Sequence, residues 1–340
     1  MSTIRLSICI PVYNFGAFIG ETLESIIQQA SLDVEIVVVD GASTDNTSEI
    51  ISRYQKKFRE LRYYRLEKRG GIDRDMARSV DLARGEYCWL FGGDDIMKPG
   101  SISRVIKEIS SGIDLFLCES ILCGFDLRPI KKHKMLAIDT DRVFDLGNEN
   151  DRLLYFRSAL NTAAFFSFCS SLIFKKKKWD QAEIDDSFMG SHWAHAARIF
   201  AMIPHGLKVK YLFEPCLYKR GDNDSFLDRG LVYRYQFAIE GYHRLADTFF
   251  NNRSVEAFHI RRVVRYEFPV PALLSLKLDS HDKKRHEDQM IVDRLVSMVN
   301  IDPLLSNRIS LFLYKSTPLF LFKLLRSIYR MLTLLLRRLR

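Results

Sequence analysis

The chain has 340 residues, 47% hydrophobic and 27% charged, a composition that fits a globular protein and argues against a disordered or fibrous one. Its formal net charge is +9, but no acid follows Asp302, and the eight Lys and Arg of residues 303–340 leave only +1 for residues 1–302. A nearly neutral body argues against nucleic-acid binding and moves the question of a charged partner to the tail. Six cysteines, at positions 9, 88, 118, 123, 169 and 216, form no C-x-x-C pair, which fits buried free thiols in a reducing compartment. Residues 1–6 are polar and the apolar segment 8–12 is too short for a secretory h-region, so a cytoplasmic protein is expected.

In chain order, residues 6–12 read as a first strand that leaves through Pro11, Val12, Tyr13 and Asn14 into a helix over 17–29. The β-branched run 34–39 is a second strand, ending at Asp40-Gly41-Ala42-Ser43-Thr44-Asp45, where Ser43, Thr44 or Asp45 can cap a helix running through Ile50 and Tyr54. A third strand over 62–66 leads through Gly70-Gly71 to a helix over 73–83. Residues 87–91 are an unbroken apolar run, the pattern of a strand buried on both faces, and stop at Gly92-Gly93-Asp94-Asp95. Strands alternating with helices at this spacing predict βαβ units and a parallel sheet, with all these loops on one edge.

A helix to about Ile109 and a strand over 114–122 follow; the pattern weakens over 123–150, which includes Lys131-Lys132-His133-Lys134. Later elements are a strand over 169–174, a helix over 188–202 carrying His192 and His195, and a strand over 209–218. The turn-rich stretch Arg220 to Ser225 reads as a solvent turn or as a lid, and Lys175 to Lys178 as a solvated face or a phosphate-neutralising run. Beyond Leu231 the reading is helical, which divides the chain into a domain over 1–225 and a helical region over 226–340.

In the tail, Lys323, Arg326, Arg330 and Arg337 recur on one helical face, with Leu and Phe filling the rest of residues 318–340. Each Arg or Lys at the centre of a spanning helix costs about 2.5–3.5 kcal/mol. A basic amphipathic helix on an anionic membrane surface is therefore expected rather than a span. The alternative is a helix docked on the protein's own core; no acid lies nearby in the sequence to pair with these cations.

Four loops should line one crevice: residues 11–14, Asp40-Gly41, the segment 70–75, and Asp94-Asp95. Singly, each has a bland reading. Asp40 is a turn-forming Asp before Gly, Asp73 and Asp75 cap a helix, and Asp94-Asp95 is a polar turn before the helix at Pro99. Together, Ser7-Ile8-Cys9-Ile10-Pro11-Val12-Tyr13-Asn14, the stretch Glu35 to Asp45, and Ala83-Arg84-Gly85-Glu86-Tyr87 running into Gly92-Gly93-Asp94-Asp95 resemble the family 2 glycosyltransferases. That resemblance implies a GT-A fold: an α/β, Rossmann-like, mostly parallel sheet flanked by helices, here with a C-terminal helical extension. Gly70 to Asp75, Trp89 to Asp95 and Trp193-Ala194-His195 look most like the abequosyltransferase-type enzymes of O-antigen assembly. Those enzymes transfer a sugar from a nucleotide-diphosphate donor to a lipid-linked oligosaccharide at the cytoplasmic membrane face.

Carried over by position, the resemblance implies that Pro11, Tyr13 and Asn14 wall the base and that Asp40, with Gly41, meets the base or ribose. Gly71, Asp73 and Asp75 would contact ribose or donor sugar. Asp94 would hold Mg²⁺ or Mn²⁺, beside Gly93 and with Asp95 supporting the metal or touching the donor. Gly92 stands where the family usually has the first Asp of its metal motif. The late-helix Glu-Asp pair that usually supplies a base is replaced by Ser191-His192-Trp193, which leaves His192 and His195 as candidate bases and Asp185 and Asp186 as the carboxylate alternative. Two rival functions remain: a sugar nucleotidyltransferase, which should carry a Gly-rich phosphate loop unlike residues 11–15, and a non-catalytic membrane-associated protein with a vestigial donor site.

Overall fold

The computed structural model describes residues 3–223 and 229–324. Strands β1 (Leu6–Val12), β2 (Val34–Asp40) and β3 (Leu61–Arg65) are parallel neighbours, connected by helices α1 (Ile19–Ile27) and α2 (Thr47–Gln55). Every residue of β1 and β2 is buried. Both sheet faces are covered there, and their sequences accordingly show no polar alternation. Helix α3 (Ile72–Asp81) leads to β4 (Tyr87–Leu90), which pairs in parallel with β1 on the side away from β2. Four strands thus point their carboxyl ends at one edge, as the alternation predicts.

The next elements are β5 (Ile96–Met97), α4 (Ser101–Ile109), β6 (Leu115–Cys123), β7 (Pro129–His133), β8 (Arg142–Asp145) and α5 (Glu149–Ser158). They are followed by β9 (Leu172–Lys175), α6 (Lys176–Gln181), α7 (Ala194–Met202) and β10 (Lys208–Lys219). The sheet order is β3-β2-β1-β4-β9-β6-β10-β5, with β7 on β6 and β8 on β10. The parallel pattern breaks at β9, which runs antiparallel to both β4 and β6. Short 3-10 turns at Thr162–Phe165 and Cys169–Ser171 bring the chain in at the carboxyl edge, so β9 starts where β4 ends. This reversal places Ser170 beside the loop that follows β4.

Trp89 and Phe91 meet edge to face at 5.8 Å inside the core. At the opposite edge the buried Glu35 carboxylate accepts from the Ser7 hydroxyl at 2.7 Å, the Arg84 backbone N–H at 2.6 Å and Arg84 Nε at 2.8 Å. Those donors hold its carboxyl below the usual range, although burial, the largest influence, acts the other way. All six cysteines are free, and five of them are buried.

The chain divides into two compact units, Met1–Asn223 and Asp224–Arg340. The second contains α8 (Gly230–Phe249), α9 (Val255–Glu267), α10 (Val270–Asp282), α11 (His286–Val299) and α12 (Leu305–Ser316). Ile239, Leu245, Ile260, Val264, Leu273, Val292 and Leu295 are buried there, and Arg261 Nε donates to Asp302 Oδ1 at 2.8 Å. Among the described residues no helix is long and apolar enough to cross a membrane. Of the expected helix over 318–340, residues 319–324 are helical, and residues 325–340 lie outside the described residues. The tail does find an acidic partner that the sequence did not suggest: Lys323 pairs with Asp282 at the end of α10.

Candidate active site

β4 ends fully buried, and the chain then runs Phe91-Gly92-Gly93-Asp94-Asp95 across the carboxyl edge. Ser170 organises this loop. Its hydroxyl donates to Asp95 Oδ2 at 2.6 Å and accepts the Gly92 N–H at 2.8 Å, while its carbonyl accepts from Trp89 Nε1 at 2.9 Å. From the other side, the Arg220 N–H donates to Asp95 Oδ1 at 3.1 Å and Arg220 Nε donates to the Asp94 carbonyl at 3.0 Å. The Arg220 guanidinium also reaches the Phe125 carbonyl at 2.7 Å and Glu21 Oε2 at 2.5 Å. Asn223 Nδ2 donates to Asp94 Oδ2 at 2.8 Å. Arg220 is only 8% exposed. The stretch after β10 is therefore neither a plain solvent turn nor a free lid at these positions, because Arg220 and Asn223 hold the two carboxylates in place.

Burial pushes the Asp95 carboxyl up to about 7, with the neighbouring Asp94 charge adding to the effect. Asp94 is raised as well, chiefly by burial and against the pull of Asn223 and Arg220. Adjacent carboxylates in this state favour a proton or a cation. Among the described residues no group of three or more His, Cys, Asp or Glu gathers around a metal position. Two carboxylates nonetheless suit a hard cation that completes its shell with phosphate oxygens and water.

The glycines here serve the protein's own packing as much as a ligand. A Cβ at Gly93 would stand 2.8 Å from Val12 Cγ1 and 3.0 Å from Phe15 Cδ1, so the bare backbone is needed for the close approach of the loop after β1. A Cβ at Gly92 would lie 3.1 Å from Asp94 Oδ1 and Asp95 Oδ2 and 3.2 Å from Ser170 Oγ. Those three oxygens crowd the space that the family's first Asp would enter.

The neighbouring loops are tied together. Pro11 lies buried in β1 opposite Val39. Asn14, at φ 58°, accepts the Thr44 N–H on Oδ1 at 2.8 Å and donates its own N–H to Ser43 Oγ at 2.9 Å. The Arg69 guanidinium covers the Tyr13 ring at 4.0 Å. Asp40 is fully buried, accepting the Ser43 N–H on Oδ1 and the Tyr63 hydroxyl on Oδ2, each at 2.7 Å. It therefore forms the turn that the bland reading describes.

Asp75 differs. It is buried against the backbone of two glycines: a Cβ at Gly41 would stand 2.5 Å from its Oδ2, and one at Gly70 would stand 2.9 Å from its Oδ1. Oδ1 is buried with no hydrogen-bond partner. Burial pushes this carboxyl up to about 6, with the Arg69 charge opposing and Asp40 adding. A buried acceptor left open in a native fold calls for an explanation, and a ligand is one. Gly71, at φ 89°, starts α3 and accepts the Asp75 N–H at 3.0 Å.

Asp73 faces the other way. Its Oδ2 accepts the Gly190 N–H at 2.9 Å and the His192 N–H at 2.7 Å, and its Oδ1 accepts the Ala194 N–H at 3.3 Å. The carboxylate caps the start of α7 from a distant element. The helix expected over 188–202 is correspondingly shorter. Asp186–Phe188 is a separate 3-10 turn, Gly190 has φ 87°, and His192 sits before α7 at φ 66°, so the two histidines do not share a helix. His195, within α7, places Nε2 3.2 Å from the Ser167 carbonyl, while its Nδ1 is buried without a hydrogen bond. Burial lowers its pKa against the opposing Asp73 charge, so the ring is neutral near pH 7. Asp185 accepts the Ser187 N–H at 2.7 Å and shapes a local turn.

The mixed α/β sheet, with Asp94 and Asp95 following β4 and the buried Asp40 and Asp75 near Gly41, fits the GT-A fold of glycosyltransferases. The chain belongs to glycosyl transferase family 2, whose model matches residues 7–179. It is 34% identical over 251 residues to the abequosyltransferase RfbV of Salmonella typhimurium, covering 72% of this chain and 75% of that protein. Among solved structures, Staphylococcus aureus TarS 1-349 in complex with UDP-GlcNAc aligns with a TM-score of 0.61 at 19% identity, over 91% of this chain and 88% of that one. The mannosyltransferase PcManGT of Pyrobaculum calidifontis, in complex with GDP-Man and Mn²⁺, aligns with a TM-score of 0.51 at 15% identity, over 91% and 78%.

Proposed function

We propose that this glycosyltransferase moves a hexose or (di)deoxyhexose from a nucleotide-diphosphate sugar to a lipid-linked oligosaccharide in O-antigen synthesis, working at the cytoplasmic face of the inner membrane. The abequosyltransferase relative supports the sugar class and process, and the nucleotide sugars bound to the two structural neighbours support the donor class. The observation that carries the reading is the Asp94–Asp95 pair, Asp95 buried and Asp94 half-buried, held by Ser170, Arg220 and Asn223 with both carboxyls raised.

In this reading Asp94, with Asp95 behind it, would hold Mg²⁺ or Mn²⁺, which would supply positive charge to the leaving diphosphate. Asp75 Oδ1 takes a hydrogen bond from the base or ribose of the donor. Tyr13, Asn14 and Pro11 wall the base, and Gly41 and Gly71 give it backbone clearance. Asp40 keeps the loop after β2 in shape, and Asp73 fixes the segment carrying His192. As the acceptor oxygen bonds to the anomeric carbon and the bond to diphosphate breaks, the hydroxyl proton passes to one of the two histidines. His195 is neutral with a buried ring nitrogen that has no hydrogen bond, whereas His192 has the greater access.

A thermal-shift panel of nucleotide-diphosphate sugars, with and without Mn²⁺, tests the proposal. One donor should raise Tm by an amount that grows with the logarithm of its excess over Kd, and more so with the cation. Asp75→Asn should keep the fold and weaken that donor by about 10- to 100-fold, the value of a charge-assisted hydrogen bond. No response to any donor would refute the donor class, and a response indifferent to Asp75→Asn would remove Asp75 from it.

A further inference from the structure

Helix α12 is amphipathic in an inverted sense. Its inward face is fastened by polar groups: Asn307 Nδ2 donates to the Asp302 carbonyl at 3.0 Å, Arg265 donates to Asn307 Oδ1, and the Tyr314 hydroxyl donates to Asp293 at 2.6 Å. Lys277 sits 4.9 Å from the centre of the Tyr314 ring. These contacts tie α12 to α9, α10 and α11. The outward face is apolar: Leu305 is 73% exposed, Ile309 50%, Phe312 67% and Leu313 55%. At about 100° per residue these four share an arc of roughly 100°, opposite Asn307 and Tyr314, with Arg308 and Lys315 along one border. Phe320, Leu321 and Leu324 continue the exposed apolar surface in the next helical segment.

We propose that the outward face of α12 is a membrane-contact surface, with Leu305, Ile309, Phe312 and Leu313 entering the interface of an anionic bilayer and Arg308 and Lys315 meeting its headgroups. This rests on the membrane reading of the tail and moves the start of the contact from residue 318 back to residue 305. Charge selects the occupant. Arg308 and Lys315 border the stripe and no acid follows Asp302 in the sequence, so the charge carried by this helix complements an anionic lipid layer. Long basic side chains at the border of an apolar stripe can lay their stems along it and lift their charges to the headgroups.

The test uses the full chain, sedimented with vesicles of phosphatidylcholine alone and of phosphatidylcholine mixed with phosphatidylglycerol. Wild type should bind the mixed vesicles, and Ile309→Glu/Phe312→Glu should weaken that binding by about tenfold or more while Tm and donor binding stay unchanged. The full-length variant Arg326→Glu/Arg330→Glu/Arg337→Glu separates the two readings. If it alone abolishes binding and the α12 variant binds like wild type, the tail is the membrane contact and α12 is not. If wild type ignores both vesicles, the membrane reading falls and this inference with it. A dimer that sediments without lipid and disappears in the α12 variant would assign the face to a second copy and overturn the proposal. Phe312→Trp covers the case of a glutamate variant that does not fold. Bromolipid vesicles should quench its emission beyond the background of Trp89, Trp179 and Trp193, and no added quenching would overturn the assignment.

Discussion

Asp95 has both carboxylate oxygens hydrogen-bonded by neutral donors, the Ser170 hydroxyl and the Arg220 backbone N–H, and another carboxylate next to it. Its folded pKa of about 7 lies above the roughly 3.9 of an unfolded Asp. Between those values the native state binds the extra proton, so this carboxyl's contribution to stability falls as pH rises through about 7. Half-buried His133 and buried His243, each lowered to about 4 chiefly by desolvation, act in the opposite direction, so the informative quantity is a difference. In chelator, wild type should lose Tm relative to Asp95→Asn between pH 5 and 8, and Mn²⁺ with nucleotide should recover part of the loss. A wild-type-minus-variant Tm that rises with pH would contradict this electrostatic account. The residue types at this site could be read from the sequence: an apolar strand ending at two glycines and two acids already implies an edge site. What holds them could not, because the Ser170 and Arg220 partners come from 75 and 125 residues away.

At the scale of elements, β1 to β4 follow from unbroken apolar runs, since a strand covered on both faces has no polar alternation. The direction of β9 has no such local signature. Leu-Ile-Phe-Lys reads the same whichever way it enters the sheet, and only tertiary packing makes it antiparallel. β7 is an edge strand without a buried position, and its sequence accordingly carries no strand pattern. α7 starts later than its sequence predicts, because apolar spacing continues through residues 188–202 while positive φ at Gly190 and His192 interrupts the helix. The functional consequence of β9's direction is Ser170, which ties Gly92 to Asp95. Ser170→Ala should orphan a buried carboxylate oxygen of Asp95 and the half-buried Gly92 N–H, costing about 1–3 kcal/mol of stability. It should also slow transfer more than Ser171→Ala does. Equal effects of the two substitutions would show that Ser170 has no special hold on the carboxylate loop.

For the whole molecule, the sheet supplies a rigid edge and the loops supply the chemistry. The net charge sits in neither: it accumulates after Asp302. That separation was visible in composition, but the polar anchoring of α12 and the Lys323–Asp282 pair were not, because both depend on how helices of the second unit pack. The central claim is that the first unit works as a transferase through the carboxylates beyond β4. Its most direct test is transfer of labelled sugar, from the donor selected by thermal shift, to a lipid-linked glycan extract by wild type and by Asp94→Ala at matched folded concentration. If Asp94 holds the proposed cation, its loss should lower turnover by about 100- to 1000-fold with little change in Tm. Turnover within a few-fold of wild type by a folded Asp94→Ala enzyme would contradict the account.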